Sequence, residues 1–326
     1  MNADTPSILK ALRGDFFCCP FGADEKPYHG ETHPPHGETA NAEWHFESLK
    51  QSDSGADLHL SLDTKIRVGH VDKFLSLRNG ETAIYSRHVL SGMNGNTTLG
   101  HHATLMFPDE EGSSHISTSR MAGGWTFPGS FEEPAQGGYN SLKPSSTFKR
   151  LDRVPLAQGG YTDLGRYPAR RGFEDIVQIV HQDSSNFAWT AAAFPKEGYV
   201  WFSLKDPRVL QSTVLWISNR GRHYAPWNSR HVNVMGLEDV TSYFFLGIAP
   251  AEKPNPVSHE GFKTFAKLNP KKPTIINYIM AVAEIPRDFE RVKKIIPDAQ
   301  GVTLFSSAGH RVPVKLDSTF LYKNSL

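Results

Sequence analysis

The chain has 326 residues, with 35 lysines and arginines against 34 aspartates and glutamates, for a formal net charge of +1. That balance gives no global electrostatic footprint for nucleic acid or an acidic membrane surface, and no apolar run approaches the roughly 18 residues a membrane span needs. The length can bury a sizeable core, and 27 glycines with 22 prolines fit many turns between short strands.

Taken in chain order, residues 2–13 read as a short helix, with Thr5 or Ser7 as cap and Gly14 as stop. The start of the chain lacks a basic-then-apolar signal, so a cytoplasmic location is the expectation. Phe16 to Phe21 reads as an apolar strand or edge. It contains both cysteines, Cys18 and Cys19, whose adjacency is too tight for an ordinary disulfide, so free thiols are expected. Residues 24–41 form a long loop of Gly, Pro, His, Glu and Thr. Trp44 to Leu49 and Asp57 to Leu62 alternate as strands. Ile66 to Leu77 and Thr82 to Leu90 form a hairpin around Asn79-Gly80. Leu99 to Phe107 is a further strand.

Residues 108–172 read as an irregular excursion anchored by Trp125 and Tyr139. Strands resume at Ile176 to Val180, Asn186 to Phe194 and Tyr199 to Leu204. Residues 250–269 read as a polar loop, and Thr274 to Ala283 as a strand. Arg287 to Ile296 is the best helix by periodicity, with Phe289, Val292 and Ile296 on one face. Val302 to Ser306 and Val312 to Leu316 complete the strands. Closely spaced strands with few short helices point to one large β-sandwich spanning residues 1–326.

Three constellations carry candidate chemistry. The densest follows the apolar run Val214 to Ile217, where a turn-rich segment packs Arg220, Arg222, His223, Trp227, Asn228, Arg230 and His231 ahead of Glu238. Aromatic faces with convergent polar groups are what a sugar ring requires. The plainer alternative is a solvated loop whose Trp227 covers a core edge. Glu238 and Asp239 face opposite sides of a strand, so Glu238, sharing its face with Val240, is expected buried and Asp239 solvated. Glu238 then either serves a site or forms a structural pair with an upstream arginine.

The second constellation is Tyr28 to Asn41, with His29, His33 and His36. Pro34 and Pro35 exclude the helix on which such spacing would bind metal, so no metal is expected. His36 either caps a turn at Gly37 or lines a pocket with Asn41. The third is Gly100-His101-His102-Ala103-Thr104. Strand alternation places His102, not His101, on the side of Thr104, either as a proton donor or as a satisfied core histidine. His181-Gln182-Asp183 is a weaker polar cluster.

At His36-Gly37 with Asn41 and Trp44, at Gly100 to Thr104, and at Trp227-Asn228 through Gly236-Leu237-Glu238, the chain resembles the galactose mutarotase-like (aldose 1-epimerase-like) superfamily, in its divergent bacterial branch. The resemblance covers roughly residues 15–320. It implies a large antiparallel β-supersandwich with a sugar site in a concave face. It also implies Glu238 as base toward the C1 hydroxyl, His102 as acid toward the ring oxygen, and His36 as the histidine that holds the ring. The expected function is aldose 1-epimerase-like ring opening of a hexose or hexose derivative, without cofactor. Asn41, Arg222, His223, Trp227 and Arg230 are the further substrate-binding candidates. The arginines leave room for an acidic or phosphorylated sugar. The substrate-holding aspartate of the family has no clear counterpart, with Asp183 and Asp206 as candidates, and Asn41 stands where relatives often carry Arg-Asn. The expected partner is a small sugar, with neither nucleic acid nor membrane. The alternatives are a catalytically silent carbohydrate-binding domain of the same fold and a polysaccharide lyase or hydrolase variant.

Overall fold

The computed structural model describes residues 5–182 and 186–323. Two antiparallel sheets stack face to face. The first has seven strands, in spatial order Phe17–Cys18, Leu99–Met106, Val234–Thr241, Ser212–Asn219, Phe173–His181, Met121–Thr126 and Thr147–Phe148. The second has nine, from Arg166–Tyr167 through Ser114–Thr118, Ala188–Phe194, Tyr199–Lys205, Thr274–Glu284, Ala83–Ser91, Gly69–Arg78 and Gly55–Thr64 to His45–Ser52.

The core follows from alternation. Along Val234–Thr241, Met235 and Leu237 point at the second sheet, where they pack with Ala192, Phe194 and Trp201. The residues between them, Gly236 and Glu238, face the other way. Burying each large apolar side chain here is worth about 1.5–3 kcal/mol. A three-stranded sheet, Val292–Asp298, Gly301–Ser306 and Arg311–Lys315, covers the far side of the second sheet, and Val302 and Leu304 pack with Phe202 and Ala191.

The hairpin at Asn79-Gly80 forms as expected, and the helices are short. Among the described residues, no helix is long and apolar enough to cross a membrane. Four expectations of local structure are corrected. Residues 287–296 are no helix: Val292–Asp298 is a strand. A bulge between Val292 and Lys294 leaves two exposed lysines between the buried Val292 and Ile295. That spacing of three imitates a helical face. The 108–172 excursion contains the Ser114–Thr118 and Met121–Thr126 strands; Trp125 is a buried anchor, whereas Tyr139 is exposed. The 250–269 loop holds short helices at Ile248–Glu252 and Pro256–His259. The first helix is also shorter than its pattern suggested, Ser7–Ala11, and it ends at Leu12 in a left-handed conformation.

Candidate functional site

Adjacent strands of the seven-stranded sheet pair Glu238 with His102 in direct register, on the face turned away from the core. Val214 and Trp216 lie on the neighbouring strand of the same face, and Ile176 lies beyond them. Loops wall this face into a cavity of about 230 Å³, to which His36, Phe131, Arg222, Trp227 and Phe245 contribute, with Leu9 and Leu12 reaching over from the first helix. That size suits one small ring.

Glu238 Oε1 lies 3.2 Å from His102 Nε2, and both side chains are about 97% buried (3% exposed). Gly236 makes room for the carboxyl, since a Cβ there would come within 2.3 Å of Glu238 Oε1. His102 Nδ1 is held by Thr104 Oγ1 at 3.1 Å, and its ring stacks on Phe16 at 4.4 Å. Burial pushes the Glu238 carboxyl well above the usual carboxylate range. Burial, with the neighbouring His36 adding to it, pushes His102 well below the usual imidazole range. The same environment therefore favours a protonated carboxyl beside a neutral imidazole, a pair sharing one transferable proton.

His36 enters from the 24–37 loop in a left-handed conformation (φ 64°), followed by Gly37, where a Cβ would meet the Cys19 carbonyl at 2.1 Å. The Gly22 amide donates to His36 Nδ1 at 3.3 Å. In the neutral ring Nε2 then carries the hydrogen and is the remaining donor. Burial holds His36 down to about 4, so it is neutral at pH 7. Its ring meets His102 edge-on at 5.0 Å.

The opposite wall is aromatic. The Arg222 guanidinium packs over Trp227 at 4.5 Å and near Phe131 at 5.1 Å. Its Nε donates to Glu132 at 2.5 Å, and Glu174 stands 4.0 Å away. Glu132 also accepts from Tyr224 OH at 2.8 Å. Burial raises Glu174 to about 7, against the pull of Arg222.

Of the sequence candidates, His36, His102, Arg222, Trp227 and Glu238 line one cavity. The others fall elsewhere. Asn41 spends its side chain on the backbone, accepting from Ile8 N at 3.2 Å and donating to the carbonyls of Pro35 and Gly37. It ties the first helix to the turn that carries His36. His223 is exposed and bonds Ser229, and Arg230 is exposed and donates to the carbonyls of Pro226 and Trp227. Arg220 is exposed as well. Glu238 therefore pairs with a histidine and not with an upstream arginine. Asp206 is tied to Arg208, and Asp183 lies outside the described residues. His181 is buried between Ser119 and Thr213. Asp239, expected in solvent, is fully buried against Lys205. Among the described residues, no group of His, Cys, Asp or Glu forms a metal cluster, and Cys18 and Cys19 are free thiols.

Sequence reasoning missed Phe131 and Glu132, which sit in an irregular stretch without a chemical motif. It also passed over Trp216 as part of an apolar strand, and Glu174, which lies just ahead of the strand expected at Ile176 to Val180. Trp216 shares the Glu238 face because its strand pairs Trp216 with Gly236, a register that counting along the sequence does not fix.

No protein-family model and no curated protein sequence matches the chain. Solved structures do. An aldose 1-epimerase candidate from Escherichia coli K12 superposes with a TM-score of 0.56 at 15% identity, over 83% of this chain and 84% of its own. The chain has the galactose mutarotase-like fold. A galactose mutarotase-like protein from Clostridium acetobutylicum gives 0.53 at 10% identity, over 87% and 85%. A galactose mutarotase related enzyme from Lactobacillus acidophilus gives 0.51 at 11%, over 83% of each chain. At such identities the likeness is one of fold, and the residues must argue the chemistry.

Proposed function

We propose that the protein is an aldose 1-epimerase-like isomerase that opens and recloses a neutral aldose ring. The observation that carries this reading is the 3.2 Å approach of Glu238 Oε1 to His102 Nε2 at the floor of an aromatic cavity. The hydroxyl and the ring oxygen of an aldose share one carbon, C1. A base and an acid that serve both must therefore stand side by side on one face, as these two do.

The step runs as a proton exchange. The proton that burial favours on Glu238 crosses to His102 Nε2, with Nδ1–H donating to Thr104. The Glu238 carboxylate then takes the C1 hydroxyl proton while His102 Nε2 gives its proton to the ring oxygen. The C1–O ring bond breaks with its electron pair on that oxygen, and the carbonyl forms at C1. Glu238 is left protonated and His102 neutral, the pair that the buried setting favours. Rotation about C1–C2 and the reverse transfers give the other anomer. His36 Nε2–H donates to a ring hydroxyl, and Trp227 and Trp216 offer apolar faces to the C–H side of the ring.

A neutral substrate follows from Arg222. Glu132 pairs with its guanidinium and Glu174 lies alongside, so its charge is already balanced and it donates hydrogen bonds without adding net positive potential. Phosphorylated and acidic sugars gain nothing from it. A silent sugar-binding domain is the second reading, favoured by the mostly apolar lining with Leu9, Leu12, Phe131 and Phe245.

Polarimetry on freshly dissolved α-aldoses, with hexose phosphates and uronates beside them, tests both readings. Catalysis of a neutral aldose by the parent, lost in Glu238→Gln and His102→Asn with binding retained, supports the isomerase. Binding with no rate above buffer leaves the silent domain.

A further inference from the structure

The nine-stranded sheet carries a second feature, remote from the cavity and independent of the isomerase reading. The seven-stranded sheet covers it where Phe17 and Leu99 pack against Val71, Leu90 and Tyr278. The inward face of the nine-stranded sheet continues past that cover toward its edge strand, His45–Ser52. There Phe46, Leu49, Leu77, Ile84 and Val282 are 59%, 52%, 54%, 39% and 42% exposed.

Strand register makes this one surface. Leu49 pairs with Leu58 and Leu58 with Leu75, while Leu77 pairs with Ile84 and Ile84 with Met280. These side chains all project from the same face. Leu58, Leu60, Leu75 and Met280 are partly exposed between them. At roughly 200 Å² for a side chain of this size, the five exposed residues alone leave about 500 Å² of apolar surface in water. That is near the top of the range of about 300–600 Å² for the largest patch on a monomer. With the partly exposed leucines and a rim it approaches the ~800 Å² that each partner contributes to a stable interface. The edge strand adds to the anomaly. His45–Ser52 carries ordinary edge guards in Glu47, Lys50 and a bulge between Phe46 and Ser48, yet it still directs Phe46 and Leu49 onto this face.

We infer that this face is the interface of a two-fold homodimer, each copy laying its Leu49–Leu58–Leu75 and Leu77–Ile84–Met280 rows on those of the other. Two observations select a second copy as the occupant. The area, about 500 Å² before the partly exposed leucines and a rim are added, approaches one partner's share of a stable dimer. The two rows carry no charged side chain, and Lys73 in the neighbouring Phe46–Leu60–Lys73 row is drawn over the Trp44 ring at 5.3 Å, so a two-fold axis sets these rows against an identical apolar face.

Sedimentation velocity of the full chain from about 1 to 100 μM tests the inference. The expected species has twice the 36.3 kDa chain mass. Leu49→Lys with Leu77→Lys places four like charges about the axis and should give a monomer with unchanged far-ultraviolet circular dichroism and unchanged sugar binding. A milder pair, Leu49→Ser with Leu77→Ser, should weaken association at least tenfold. In the parent, amide exchange along the His45–Ser52 and Gly55–Thr64 strands should slow with rising concentration. A parent that stays monomeric throughout overturns the inference. So does a dimer indifferent to the lysine pair, protection that develops on another face, or protection here only when a different protein is added.

Discussion

Two adjacent residue pairs on the same two strands reach opposite ends. Asp239 and His101 face the space between the sheets; Glu238 and His102 face the cavity. Asp239 is fully buried, yet it accepts from Lys205 at 2.5 Å, Ser203 at 2.6 Å, Thr213 at 2.6 Å and Tyr278 at 2.9 Å. Burial alone would raise its pKa, but Lys205 and the hydroxyls reverse this and hold it below the usual value. His101 Nδ1 likewise meets Asp15 at 2.8 Å. Glu238 has His102 beside it and no such cage, and its carboxyl is raised instead. Both carboxylates are buried, so burial does not distinguish a site from a strut. The number of committed donors does: Asp239 is locked into one charge state, whereas Glu238 can exchange a proton.

The largest expected effect lies on the cavity side. Glu238→Gln should lower the mutarotation rate about 10²–10⁴-fold while changing stability by less than about 1 kcal/mol, because the isostere removes a buried ionisable group and leaves its volume. Polarimetry and urea unfolding read the two quantities. A large loss of stability with intact rate would reverse the comparison.

On the inner side, Asp239→Asn leaves Lys205 buried without its counter-charge and should cost about 3–5 kcal/mol in urea unfolding. Asp239→Leu combined with Lys205→Met should cost clearly less than that single change. If the single variant unfolds like the parent, the inner pair is not the strut described.

The pH dependence of stability sharpens the role of the buried imidazoles. His36 is held at about 4 by burial, and His102 is also lowered. In the unfolded chain both titrate near 6.5, so as pH falls below about 6.5 the unfolded state takes up protons first. Their contribution is complete above that value and is lost progressively toward pH 4, at most about 1.4 kcal/mol per pH unit for each histidine. Glu238, raised by burial, keeps its proton in the folded state and opposes the His102 contribution, so the readout is a difference: between pH 7.5 and 4.5 the thermal stability of His36→Gln should fall less steeply with falling pH than that of the parent. An unchanged slope would place His36 in a more hydrated setting than its contacts indicate.

The smallest effect concerns orientation. Thr104→Val removes the oxygen that holds His102 Nδ1 and should lower kcat about tenfold with little change in KM, while Thr104→Ser restores most of the rate. A loss confined to KM would remove Thr104 from the proton path.

The sequence by itself determined the alternation, and with it that the two neighbours of each pair face opposite ways. From Gly100 to Thr104 it separated His102 from His101, and from Gly236 to Val240 it separated Glu238 from Asp239, because successive side chains on a strand must point to opposite faces. The mainly β class was legible for the same local reason. Only the tertiary structure decided what stands opposite each face. Asp239 was expected in solvent because nothing near it in sequence supplies Lys205, which a neighbouring sheet delivers 34 positions away. Glu132 finds Arg222 across 90 residues, and Asn41 is used up on Ile8, Pro35 and Gly37 before any ligand could claim it. The strand at 292–298 was misread because a bulge, itself a product of pairing with Gly301–Ser306, gave it a helical spacing. Periodicity is a property of the chain, whereas a hydrogen-bond partner is a property of the packing that brings distant strands and loops together.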